Sequence, residues 1–129
     1  MASQIEERIE KLNARLVEKL ESFFGEEAEV YQDAVEEDET NLSRINHVVF
    51  ETLGFERIGH LTLRQNVNVY YFSENREDLD VLQVQFLNAL AGTGHTCDRT
   101  DKGTMQKKDT EQFVDVLTFE LKRTVKNVC

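Results

Sequence analysis

The sequence predicts an α+β fold: a mainly antiparallel sheet of about four to five strands, with an N-terminal helix and a second helix packed on one face. Three observations predict it. Ile5, Ile9, Leu12, Leu16, Leu20 and Phe23 recur at helical spacing at the start of the chain. Strict alternation then places Leu61, Leu63, Val67, Val69 and Tyr71 on one face and Thr62, Arg64, Asn66, Asn68 and Tyr70 on the other. A period of two marks a strand with one wet face. A second segment with helical spacing follows that strand directly. At 129 residues the chain makes one domain, 1–129, around one core.

The first helix has a capping-box pattern in Ser3 and Glu6. Glu6, Glu7, Arg8, Glu10, Lys11, Arg15, Glu18 and Lys19 form its solvated face, with Glu7–Lys11 spaced to pair along it. Gly25 is its stop. The apolar stripe ends after about three heptads, so it is expected to cover a sheet rather than to continue as a coiled coil.

A short strand is expected within 28–35 and another over 46–53, NHVVFETL. Gly54 and Gly59 flank 55–58, where a turn or bulge is expected before the long strand. Asn75 is the expected N-cap of the second helix, with Glu77 and Asp78 in its first turn. Leu79, Leu82, Phe86 and Leu90 form its stripe, with Val81, Leu87 and Ala89 alongside, and Gly92 or Gly94 ends it. The polar segment 98–110 reads as a long hairpin or a flexible loop. In 112–125, Phe113, Leu117, Phe119, Leu121 and Val125 alternate with Val116, Thr118, Glu120 and Lys122, a second long strand with one buried face. Proline is absent, so Gly, Asn, Asp and Ser must make the turns.

The formal net charge of -10 argues against a general nucleic-acid binder, which needs a basic face. Residues 26–39 carry eight carboxylates and no base, and 36–40 hold no apolar residue, so that part reads as an exposed loop. It lacks the central Gly and terminal Glu of a calcium-binding loop. His95 and Cys97 form an H-x-C pair beside Asp98, but a zinc site needs about four ligands and the second pair is missing. Cys97 follows a helix C-terminus, which disfavours a thiolate. The expectation is a loop histidine and a small half-buried thiol. Gly92 and Gly94 follow a helix rather than precede one, so they cradle no phosphate. Tyr70, Tyr71 and Phe72 have Asn66, Asn68, Glu74 and Asn75 as neighbours instead of Lys or Arg, which favours packing and subunit contact over base stacking. No catalytic set, metal set or cofactor is expected, and the protein is expected not to be an enzyme. Cys97 and Cys129 are too sparse for a disulfide scaffold. No apolar run approaches the roughly 18 residues of a membrane span.

The arrangement resembles the tail terminator proteins of long-tailed bacteriophages over most of the chain. The resemblance runs through the N-terminal helix, a strand entering EVYQDAV and a middle strand pair. It continues through LTLRQNVNVYYFSEN, the helix REDLDVLQVQFLNAL and a closing FVDVLTFELKRTV that turns basic. The Pro that often precedes the second strand in such proteins is absent here. The resemblance implies a homo-oligomeric ring, usually a hexamer, located in the virion and assembled in the host cytoplasm. The ring would cap the tail tube protein, stop tube growth and meet a head-completion or neck protein, with DNA passing through unspecifically. An acidic chain suits such a lumen, because like charges prevent sticking. Glu36, Glu37, Asp38 and Glu39 are then the candidate lumen or axial loop. Lys102, Lys107 and Lys108 are the candidate subunit or tube contact loop. Exposed sheet edges would be satisfied by subunit pairing. The rival readings are another phage neck or tail-completion protein and a small acidic inhibitor that mimics nucleic acid.

Overall fold

The computed structural model describes residues 4–25, 29–32, 47–73, 77–106 and 113–126. In chain order these form α1 (Gln4–Phe24), β1 (Glu29–Gln32), β2 (His47–Gly59), β3 (Thr62–Ser73), α2 (Leu79–Ala89), β4 (His95–Gln106) and β5 (Phe113–Lys126). The strands make one open sheet in the order β1-β2-β3-β5-β4. β1 runs parallel to β2, and every other neighbouring pair is antiparallel. The α+β architecture is the one the hydrophobic pattern predicts.

Alternation decides which face the helices cover. Val67, Val69 and Tyr71 on β3 sit opposite Leu121, Phe119 and Leu117 on β5. Val69 and Tyr71 also face Phe50 and Val48 on β2. Against this surface α1 lays Leu16, Leu20 and Phe24, and α2 lays Leu79, Leu82, Phe86 and Leu90. Aromatic rings join the layers. Phe24 stacks on Tyr71 at 4.6 Å, and Phe86 lies 4.5 Å from Phe119 and 5.2 Å from Phe23. Each fully buried side chain of this size contributes roughly 2–3 kcal/mol through removal from water. Two glycines shape the helix layer. Gly25 takes φ 63 and ends α1. Gly94 takes φ 85, and a Cβ there would lie 3.0 Å from Leu12 Cδ2, so α1 closes directly onto this turn.

The structure corrects several expectations. α2 starts at Leu79, and Asp78 is its N-cap residue, its carbonyl accepting from Leu82 N at 2.9 Å. Glu77 and Asp78 therefore precede the helix instead of filling its first turn, and Asn75 lies outside the described residues. Val81 and Leu87 join Val84 on the exposed side, because the narrow row from Leu79 to Leu90 already fills the interface. Leu61 belongs to the turn between β2 and β3 and is exposed. Segment 98–106 is strand, the outer arm of a β4–β5 hairpin, so the hairpin reading holds there and the flexible-loop reading does not. Its strand character comes from the backbone pairing with β5, without an apolar alternation to announce it.

β2 continues through Gly54 to Gly59, with register skips between Thr52 and Phe55 and between Arg57 and Gly59. The expected irregularity at the two glycines is thus a pair of bulges in one 13-residue strand.

Candidate functional site

Glu36, Glu37, Asp38, Glu39, Lys107 and Lys108 lie outside the described residues. Lys102 is described, and it sits on β4 opposite Leu117. Its Nζ donates to Asp80 Oδ1 of α2 at 2.9 Å. That bond ties the edge strand back to the helix layer, so Lys102 lies on a strand instead of in a loop, with its side chain half-exposed.

The histidines are dispersed. His47 stacks on Phe72 with ring centroids 4.5 Å apart, and His60 is exposed in the β2–β3 turn. His95 opens β4 and is only 5% exposed, which corrects the expectation of a loop histidine. Its Nδ1 lies 3.2 Å from the Thr93 carbonyl oxygen. A carbonyl only accepts, so Nδ1 carries the proton. The buried Nε2 has no hydrogen-bond partner among the described residues. Burial, and then the charge of Arg123, push the imidazole down to about 4. Cys97 is half-buried as expected, and burial raises its thiol. Among the described residues no three His, Cys, Asp or Glu side chains come together as a metal site.

On the face away from the helices, Tyr70 donates to Glu51 Oε1 at 2.7 Å and accepts from Asn68 Nδ2 at 3.1 Å. Burial, with the Glu51 contact next, raises the phenol. Of the aromatic trio, Tyr71 is core, Tyr70 is held by this polar cluster and Phe72 lies under His47.

The most developed polar feature is inside. Arg123 is 1% exposed on the helix-covered face. Its Nε and Nη2 donate to Gln65 Oε1 at 2.9 and 2.7 Å, and its Nη1 donates to Asn13 Oδ1 at 2.6 Å. Gln65 Nε2 in turn donates to the Leu53 carbonyl at 3.0 Å, at the first bulge of β2. One relay therefore joins α1, β5, β3 and β2. Burial lowers the guanidinium to about 10, and the acceptors on it are neutral amides. The sequence carried a signal for this. Gln65 and Arg123 each interrupt an apolar row, and the two interruptions pair in register.

The relay ends at the most exposed apolar part of the sheet. β1 pairs with β2 only from His47 to Phe50. Beyond that, the outer side of β2 has no strand partner among the described residues. Leu53, Phe55 and Ile58 of this segment, and Leu61 in the turn after it, are between 39% and 48% exposed. The opposite edge differs. β4 carries Arg99, paired with Glu120 at 3.3 Å, and Asp98, paired with Lys122. What this arrangement offers chemically is a row of backbone donors and acceptors beside apolar side chains, which suits strand addition.

No protein-family model and no curated protein matches the chain.

Proposed function

We propose that this protein is a structural virion component, a ring-forming tail terminator. It caps the tail tube, stops its growth and joins the tail to the head or neck. The observation that carries the reading is the outer edge of β2 beyond Phe50, which has no strand partner among the described residues and carries exposed Leu53, Phe55 and Ile58. Such an edge is an assembly surface in a protein that stays soluble by other means. The net charge of -10 supports the same reading, because a negative ring lets DNA slide through without adhering.

The test is a tube-growth assay. Purified tail-tube subunits are polymerised with and without the protein, and tube lengths are measured by negative stain. The reading expects growth to stop at amounts far below one copy per tube subunit, with the protein at one end of each tube. Unchanged tube lengths and bare tube ends would remove it.

A further inference from the structure

We propose that the open β2 edge of one copy receives the β4 edge of a second copy in antiparallel register, so that the sheet continues head to tail. The inference rests on the ring reading and names the surfaces that would close such a ring.

Strand direction comes first. β2 is antiparallel to β3, β3 to β5 and β5 to β4, so β2 and β4 run in opposite directions. A copy placed alongside in the same orientation presents β4 antiparallel to β2. That is the more favourable ladder, and it keeps the helix-covered faces on one side. A contact between two different edges is heterologous, which builds rings when its rotation closes.

Charge then selects a register. Glu56 on β2 and Arg99 on β4 are charges of opposite sign on the two outer edges. Glu56 opposite Arg99 of the second copy makes one rung of opposite sign. Asp98 sits in the β4 bulge and is held by Lys122 on the face away from the helices, whereas Arg57 shares the covered face with Leu63, so the neighbouring position adds no second charge pair. The faces of Glu56 and Arg99 agree. Glu56 pairs with Arg64, and Arg99 pairs with Glu120, whose own partner is Asn68. Arg64 and Asn68 both lie on the face of β3 away from the helices, so Glu56 and Arg99 do too. In the same register Phe55 meets Thr100. Their in-chain partners Gln65 and Phe119 are both on the helix-covered face.

The two edges also differ in what they lack. β4 carries charges of both signs, which protect it from unspecific pairing. The β2 edge carries Leu53, Phe55 and Ile58, and burying them is the driving force. The Gln65 hydrogen bond to Leu53 O fixes the bulge at the start of this edge, so the segment is held before it docks.

The experiment has two arms. In the first, Phe55→Cys and Thr100→Cys are combined in one chain with Cys129→Ser and mildly oxidised, with each single cysteine as control. The proposal expects a ladder of cross-linked copies from the pair and none from the singles. In the second arm, association is measured by sedimentation for Glu56→Lys, Arg99→Glu and the double exchange. Each single reversal puts like charges on one rung and is expected to weaken association about ten-fold, with most of it regained in the double variant. Both positions are exposed, so the fold survives the changes. No ladder, or association that ignores the charge cycle, overturns the proposal, as does a wild-type chain that never associates. The two readings fail separately. A ladder without any effect on tube growth keeps the edge pairing and removes the terminator. Tube capping that is indifferent to the charge cycle does the reverse.

Discussion

The helix-covered face of the sheet is built differently at its two ends. Around β3 residue Tyr71 it is wholly apolar. Phe23, Phe24, Tyr71, Phe86 and Phe119 meet ring to ring, and Leu20 and Leu117 fill between them. Around Gln65 the same face holds Arg123, Asn13 and His95. The first end gains free energy simply by leaving water. The second buries a cation among neutral amides, so hydrogen bonds there offset a desolvation cost instead of adding a surplus. In return, Gln65 reaches the β2 bulge and Asn13 ties the middle of α1 to β5. One end supplies stability, and the other supplies geometry where the sheet edge is open.

The largest expected effect tests the apolar end. Phe86→Ala removes a ring with no exposure and should cost about 3–5 kcal/mol in a denaturant titration. A cost near that of a surface substitution would mean the aromatic cluster is not the source of stability.

Arg123→Ala comes next, at about 3 kcal/mol, because it leaves a cavity and strands the Gln65 and Asn13 oxygens. The sharper version converts the polar end into a copy of the apolar one. Arg123→Met with Gln65→Leu and Asn13→Leu should regain most of that loss, while hydrogen exchange at the amides of 53–59 becomes faster. A triple variant as unstable as Arg123→Ala, with exchange unchanged, would show that the relay does not hold the bulge.

Acid should act on the polar end alone. The His95 imidazole lies at about 4 in the folded chain against an ordinary 6.5. The unfolded chain therefore binds this proton more readily. The neutral-His95 contribution is complete above pH 6.5 and is lost progressively as the pH falls towards 4, by at most roughly 3 kcal/mol. Replacing His95 with Gln should flatten that part of the stability profile. An unchanged slope in His95→Gln would place the acid sensitivity elsewhere.

The smallest effect concerns Lys102. Its bridge to Asp80 joins two half to largely exposed side chains. Lys102→Met should change stability by no more than about 0.5 kcal/mol. If it also leaves assembly on tail tubes unchanged, the role first given to this lysine is gone.

What could be read in advance follows the same division. The stripe of α1, the alternation of β3 and β5 and the row from Leu79 to Leu90 were legible, because periodic burial writes itself into residue type. β4 was legible only as one of two options, a hairpin arm or a loop. Its residues Thr100, Lys102 and Thr104 pair with β5 yet carry no apolar alternation, so its strand character comes from backbone pairing with β5. The extension of β2 past Gly54 was hidden for a related reason, since its far half is exposed on both faces. The relay left a trace in the two interrupted rows, but a polar residue in an apolar row has no partner until the register is known. Of the residues first assigned to contacts, Lys102 found an internal partner. The β2 edge, now the main candidate surface, was noticed only as unsatisfied sheet edge.

The most direct test of the central claim is the mass and shape of the assembled protein. Light scattering coupled to size exclusion would be run on the 15.0 kDa chain, with negative-stain images of the same peak and of purified tail tubes mixed with it. The account predicts a closed ring of several copies, free or seated on tube ends, that needs about ten-fold more protein to form with Glu56→Lys. A monomer at every concentration that also leaves tube ends bare would contradict it.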